Sequence, residues 1–301
     1  MAVTTKALPG QPGLTHTPHV SRRVAGGLWK FTRTKPLGAA SALVAIGLVV
    51  VAVAAPLIAT HDPREMSVER FQAPGADFWF GSDHLGRDIF SRVVYGSQLS
   101  LIISLTAVTI GTVAGTFVGL TSAYIGGRVD LVIQRFVDAM LSFPGLVFAI
   151  ALVGLVGPSI KNVAIAIGIV TAPSMARIIR GPVFAIKENA YVEAARATGG
   201  NSWRVMARHI LPNITPLIIV ISTSRLGAAI LIESGLSFLG LGPSPDTPTW
   251  GQMLSGDALY ALEIAWWLAL FPGLAITLVV LSFNLLGDAL RDVMDPHLRG
   301  R

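Results

Sequence analysis

The chain has 301 residues, of which 52% are hydrophobic and only 13% charged, with a net charge of +6 and no cysteine. Soluble domains usually carry about a quarter charged residues, and here the apolar residues fall in long uncharged runs, so a soluble globular protein is excluded. The absence of cysteine also excludes a disulfide framework and any thiolate metal or redox site.

Residues 1–36 hold six Lys/Arg and no Asp or Glu, and are rich in Pro, Thr and Gly. Their composition predicts a disordered basic N-terminal tail. Within it, Arg22–Lys35 with Trp29 and Phe31 reads as a short helix at the headgroups. The first membrane segment is Leu37–Ile58, 22 uncharged residues, about 33 Å long as a helix. Ala52-Val53-Ala54 imitates a leader cleavage site, but the preceding tail is too long and the apolar run too extended for a cleaved leader. A polar loop occupies residues 60–97, where Asp83, His84, Arg87 and Asp88 cluster. A metal or acid/base site and a hydrogen-bonded cap on the next helix both fit that cluster, and the cap is the simpler reading.

The second segment is Gln98–Tyr124, with GxxxG steps at Gly111/Gly115 and Gly115/Gly119 that permit close helix approach. The third runs from Leu131 to Val156 as one span, with Arg135 and Asp138 three apart as an intrahelical ion pair. The fourth, Asn162–Gly181, is closed by Arg177 and Arg180, which can snorkel to the interface. The fifth, Asn213–Leu241, carries Arg225 and Glu233 deep in its apolar run. A charge there costs roughly 2.5–3.5 kcal/mol on insertion scales, so each must face protein or water. They either line a translocation path or pair with a neighbouring span, Arg225 with Asp138 for example. The sixth, Ile264–Gly287, opens at Trp266 and Trp267; these and Trp250 read as interfacial anchors. Prolines at 56, 144, 173 and 272 lie inside spans, where kinks are tolerated beside protein or water.

With the N-terminus inside, 16 of the 23 Lys/Arg lie in cytosolic segments and five outside. That bias places both termini in the cytosol. It also accounts for the basic pI, so no nucleic-acid partner is expected; the lipid bilayer is.

The segment between spans four and five predicts a short helix stopped by Gly199, a turn through Gly200 and Asn201, and a second helix from Ser202 ended by Pro212. Its first helix, with Ala194, Ala195 and Ala197, is too small-faced to bury much of itself, and reads either as a low-profile knob for another surface or as an ordinary surface hairpin. None of the five lysines is followed by Ser or Thr, so the chain has no P-loop, and no HExxH or GxSxG string is present. Catalysis by this chain is not expected, and no metal or catalytic residue is assigned.

Glu193-Ala194-Ala195, Gly199 and Leu211-Pro212, with their spacing, resemble the EAA loop of permease subunits of binding-protein-dependent ABC importers. His209-Ile-Leu-Pro-Asn213, Phe80-Gly-Ser-Asp-His-Leu-Gly-Arg-Asp-Ile-Phe-Ser-Arg92, Phe143-Pro-Gly145, Gly235-Leu-Ser-Phe-Leu-Gly-Leu-Gly242 and Trp250-Gly251 are similar to the C-type subunit of the dipeptide/oligopeptide/nickel branch. The resemblance implies an all-α membrane protein of six transmembrane helices with the type I permease fold. Its parts would be the tail 1–36, a first helix plus extracytoplasmic loop 37–96, a core 97–287 with the coupling loop 182–212, and a cytosolic tail 288–301. It further implies that Glu193, Ala194, Ala195, Gly199, Trp203, His209, Leu211 and Pro212 couple to an ATPase. No cofactor is then expected in this chain, with ATP and Mg held by two ATP-binding subunits. The other implied partners are a second homologous permease and an extracytoplasmic substrate-binding protein. If Arg225 and Glu233 line the path rather than pair with a neighbouring span, they would meet the charged termini of a peptide; nickel or another small solute is the alternative cargo. Of the rivals, an ion-coupled transporter gives no reason for the hairpin, an intramembrane enzyme lacks a paired catalytic constellation, and a membrane scaffold leaves the deep charges unexplained.

Overall fold

The computed structural model describes residues 32–33, 35–244, 246–256, 261 and 263–294. The basic tail and its surface helix fall almost wholly outside these residues, as does the second half of the C-terminal tail, residues 295–301. No strand occurs among the described residues.

Pro36 opens α1, Pro36–Val53, and a short turn α2, Ala55–Ile58, follows after a break at Ala54. Proline suits both starts, since its missing N–H falls where a helix has no partner for it. α3 is Ile89–Ile125, 37 residues, or about 55 Å. It begins nine residues before the expected start because Asp88 caps it, accepting from the amides of Phe90 and Ser91. The carboxylate of Asp88 also accepts from Thr60 Oγ1 at 2.8 Å and Ser91 Oγ at 2.6 Å. Asp83 holds Arg87 at 2.7 Å and accepts two backbone amides. The cluster is therefore the cap and loop-tying network, and among the described residues no group of acids and His is arranged to hold a metal.

Gly126 and Gly127, at φ +71° and +58°, reverse the chain tightly. The third crossing is not one helix. α4, Gly127–Leu141, and α5, Gly145–Val156, meet at 89°. Pro144 supplies no amide to the helix and bars Phe143 from helical backbone, so the chain leaves the helix at Ser142–Phe143 and restarts at Gly145. Asp138 does not pair with Arg135; it meets Arg177 of α6, Ile160–Lys187. Ser159 caps α6, and Asn162 Nδ2 donates to the orphan carbonyls of Val156 and Gly157 at the end of α5.

α7, Ala190–Ala197, is followed by α8, Ser202–Val205, which passes through a π-helical turn, Met206–Ile210, into α9, Leu211–Phe238. Pro212 therefore does not end a helix. The Leu211 amide bonds Met206 O, five residues back. This wide turn makes room for the proline ring and its missing donor. α10, Trp250–Met253, leads to α11, Trp267–Met294. Trp250 and Trp267 are not interfacial anchors: they are 1% and 5% exposed, donating to Val93 O and Ser82 O. Trp266 stays exposed.

Among the described residues five helices are long and apolar enough to cross a membrane, or six if the bent pair α4–α5 is counted as one span. The most intimate seam is α3 on α6. An added Cβ at Gly115 or Gly119 would lie 2.4 Å from a carbonyl of α6, so only glycine allows the two backbones so close. α9 packs on α11, and α1 lies against α11.

Candidate coupling hairpin and charged cavity

α7 stands at the end of the molecule where α3 meets α4. Its terminus is a Schellman motif: Gly200 N donates to Ala195 O and Gly199 N to Arg196 O, with Gly199 at φ +84°. Asn201 Oδ1 then accepts from the Arg204 amide at 2.8 Å and caps α8. Both turns are thus set by local chemistry, and the hairpin has the shape that Gly199 and Asn201 predict.

Its attachment is tertiary. Val192, Val205 and Ile210 are fully buried in one cluster with Leu120 and Ala123 of α3 and Met175, Ile179 and Val183 of α6. The Arg196 guanidinium sits 4.9 Å above the Tyr124 ring. The expectation that α7 buries little of itself holds for one face only. Glu193, Ala194 and Ala197 are exposed, whereas Ala195 packs half-buried against the inner cluster. Trp203 is 62% exposed and Tyr191 46%, large aromatic side chains left on the surface of the hairpin. His209 and Leu211 are half-buried and Pro212 exposed. Residues 182–187 belong to α6 rather than to the hairpin. Val192 and Tyr191 were not singled out in the sequence; the apolar i, i+1 pair in a polar helix was the signal for one inner and one outer face.

Arg225 and Glu233 occupy different surroundings. Arg225 donates to Thr171 O at 3.1 Å and Ser174 Oγ at 2.5 Å, both on α6, not to Asp138. It lines a cavity of about 860 Å³ between α6, α9 and α11, together with Asn213, Ser224, Asp288 and Arg291. Glu233 is fully buried and lies outside that cavity. It accepts from Ser237 Oγ at 2.8 Å and Ser100 Oγ at 3.2 Å, joining α9 to α3. The two residues look alike in the sequence because each is a lone charge in an apolar run; only packing separates a cavity wall from a seam.

Residues 111–300 match the family described as binding-protein-dependent transport system inner membrane component. The chain is 42% identical over 272 residues to the dipeptide transport system permease protein DppC of Alkalihalophilus pseudofirmus, covering 90% of this chain and 89% of the relative. It is 40% identical over 267 residues to the probable D,D-dipeptide transport system permease protein DdpC of Escherichia coli K12, covering 88% and 89%. It is 43% identical over 274 residues to the glutathione transport system permease protein GsiD of an Escherichia coli O6 strain, covering 90% of each. The chain belongs to the binding-protein-dependent transport system inner membrane component family. It is accordingly a multi-pass inner-membrane permease subunit with the type I fold of ABC importers, a transport subunit and not an enzyme.

Proposed function

We propose that the chain is one half of the pore of an ATP-driven peptide importer, with the hairpin from Ala190 to Pro212 as its coupling element. The observation that carries this reading is the two-faced α7. Its outer face carries the exposed Tyr191, Ala194 and Ala197, with Trp203 exposed on α8 of the same hairpin, and its inner face is anchored through Val192. A small-residue face lets another protein's backbone approach closely, and the adjoining aromatic rings are the side chains that anchor interfaces. The occupant is one of two ATP-binding partner subunits, which hold ATP and Mg. A second, homologous permease forms the other half of the pore, and an extracytoplasmic binding protein delivers cargo to the far end. The bias of Lys and Arg puts both termini, and hence the hairpin, on the cytosolic side.

The peptide cargo rests on the relatives, two of them permeases of dipeptide and one of glutathione transport systems. Arg225 serves such a cargo as a fixed guanidinium on the cavity wall, able to bind a peptide carboxylate bidentately. Glu233, sealed by serines, holds α9 to α3 instead.

The test is uptake of radiolabelled dipeptide against ATP hydrolysis in proteoliposomes carrying the complete complex. Ala194→Trp, on the outer face, and Gly199→Asp, at the positive φ, are expected to leave the chain inserted while uptake falls and hydrolysis is no longer matched to it. Unchanged uptake in both variants would refute the coupling assignment. A tagged chain recovered alone from native membranes, yet still active in uptake, would refute the ATP-driven reading.

A further inference from the structure

The cytosolic end of α6 is tied to the α3–α4 turn at two points. Asp130, 3% exposed at the start of α4, receives Arg180 Nε at 3.1 Å and Arg180 Nη2 at 2.6 Å. It also receives Ser122 Oγ from the end of α3, and Gln134 Nε2 donates to that hydroxyl at 3.2 Å. Seven residues on, Lys187 Nζ donates to Ala123 O at 2.9 Å, one of the last, otherwise unpaired carbonyls of α3. Phe184 lies between, with Lys187 Nζ at 4.3 Å and the Arg180 guanidinium at 4.9 Å from its ring centre.

Between the two ties α6 has a weak point. Pro182 is inside the helix and brings no amide to the carbonyl of Ile178. α7 starts only three residues after Lys187. A push on α7 therefore reaches the membrane through a helix that can bend at Pro182, and a helix that bends there absorbs the motion locally. With Arg180 held on one side of the proline and Lys187 on the other, both to the same turn, bending requires one tie to break.

We propose that Asp130 and Arg180 are positioning residues that force α3, α4 and α6 to move as one body with the hairpin, so that closure of the ATPase is delivered to the pore rather than lost at Pro182. This inference rests on the coupling role of the hairpin proposed above. The pair is a bidentate ion pair completed by a serine, a geometry that fixes direction as well as distance. Its partly exposed guanidinium limits its worth to overall stability, so its loss is expected to be felt in transmission before it is felt in folding.

The experiment compares the ratio of ATP hydrolysed to dipeptide imported in proteoliposomes of the complete complex for Asp130→Asn, Arg180→Gln and the double variant. Asp138→Asn, which removes the exposed pair with Arg177 between the same two helices, is the control. Complex yield and thermal midpoint are measured alongside. The expected result is a ratio raised at least about fivefold in each single variant at near-normal yield, no larger in the double variant because the two residues act as a unit, and unchanged in Asp138→Asn. If Asp130→Asn lowers yield or midpoint while the recovered complex keeps the normal ratio, the pair is structural only and the proposal is overturned. If Ala194→Trp uncouples and the Asp130 and Arg180 variants do not, this proposal fails while the hairpin assignment stands. If Ala194→Trp leaves the ratio normal as well, the hairpin assignment itself fails.

Discussion

Replacing Gly119 by Ala tests whether the α3–α6 seam is the rigid spine of the fold. The new Cβ would lie 2.4 Å from Ala176 O, 3.0 Å from Ala176 Cα and 3.1 Å from Ala176 C. All three are backbone atoms, so no side chain can rotate away. Ordinary contact begins near 3.4 Å, and 3.4 minus 2.4 means the helices must part by about 1 Å here. A gap of that size forfeits a quarter to a half of the dispersion energy of the contacts it opens, and overpacking in a tight interior costs about 1–3 kcal/mol. At least the middle of that range applies, because the seam is closed again at Gly115, one turn away. Taking about 2 kcal/mol, the folded-to-unfolded ratio falls roughly 30-fold. The thermal midpoint of the purified variant, followed by tryptophan fluorescence, should drop by about 3 °C. Gly47→Ala in α1, where a Cβ meets nothing within 4 Å, should leave it unchanged or raise it slightly through helix propensity. Equal midpoints for Gly119→Ala and the parent protein would refute the claim that glycine is required for this approach.

Asp88→Ala removes the cap of α3 and the partner of Thr60 and Ser91; it should cost about 1–2 kcal/mol, read as a lower midpoint, while Asp88→Asn recovers much of it. Glu233→Ala strips the acceptor from the Ser100 and Ser237 hydroxyls in a closed seam and should destabilise by about 1–3 kcal/mol, with Glu233→Gln the milder variant; dipeptide uptake by Glu233→Gln should persist, as expected of a seam residue. Trp267→Phe leaves the buried Ser82 carbonyl without its indole donor, a loss of about 1–2 kcal/mol visible in urea unfolding. Arg225→Ala should abolish dipeptide uptake with the complex assembled, whereas loss of assembly would make Arg225 a packing residue.

Much was legible without coordinates because it depends on composition and short-range chemistry. Uncharged runs of sufficient length have one favourable solvent, the bilayer, so the crossings from Leu37 to Gly287 followed from hydropathy alone. The glycine and asparagine at 199 and 201 determined the hairpin's turns, since the positive φ and the side-chain cap are properties of those residues themselves. Element ends were less legible. Asp88 started α3 early because its cap lies outside the apolar run, and Pro144 broke the third crossing that hydropathy reads as continuous. Pro212, in contrast, broke nothing, because a π turn relieved its clash; the same residue type gave opposite outcomes according to the backbone available around it.

What the tertiary structure alone decided is who faces whom. Asp138 was within reach of Arg135 on its own helix and of Arg225 by hypothesis, yet its partner is Arg177. Arg180, expected to reach for lipid headgroups, turned inward to Asp130. The sequence states which charges must be satisfied in a low-dielectric setting, because burying any of them alone is costly. It does not state which of several equally eligible partners arrives at hydrogen-bond distance. That choice depends on the 89° bend of the third crossing and on the glycine-controlled spacing of α3 and α6, distances set by packing between segments far apart in the chain.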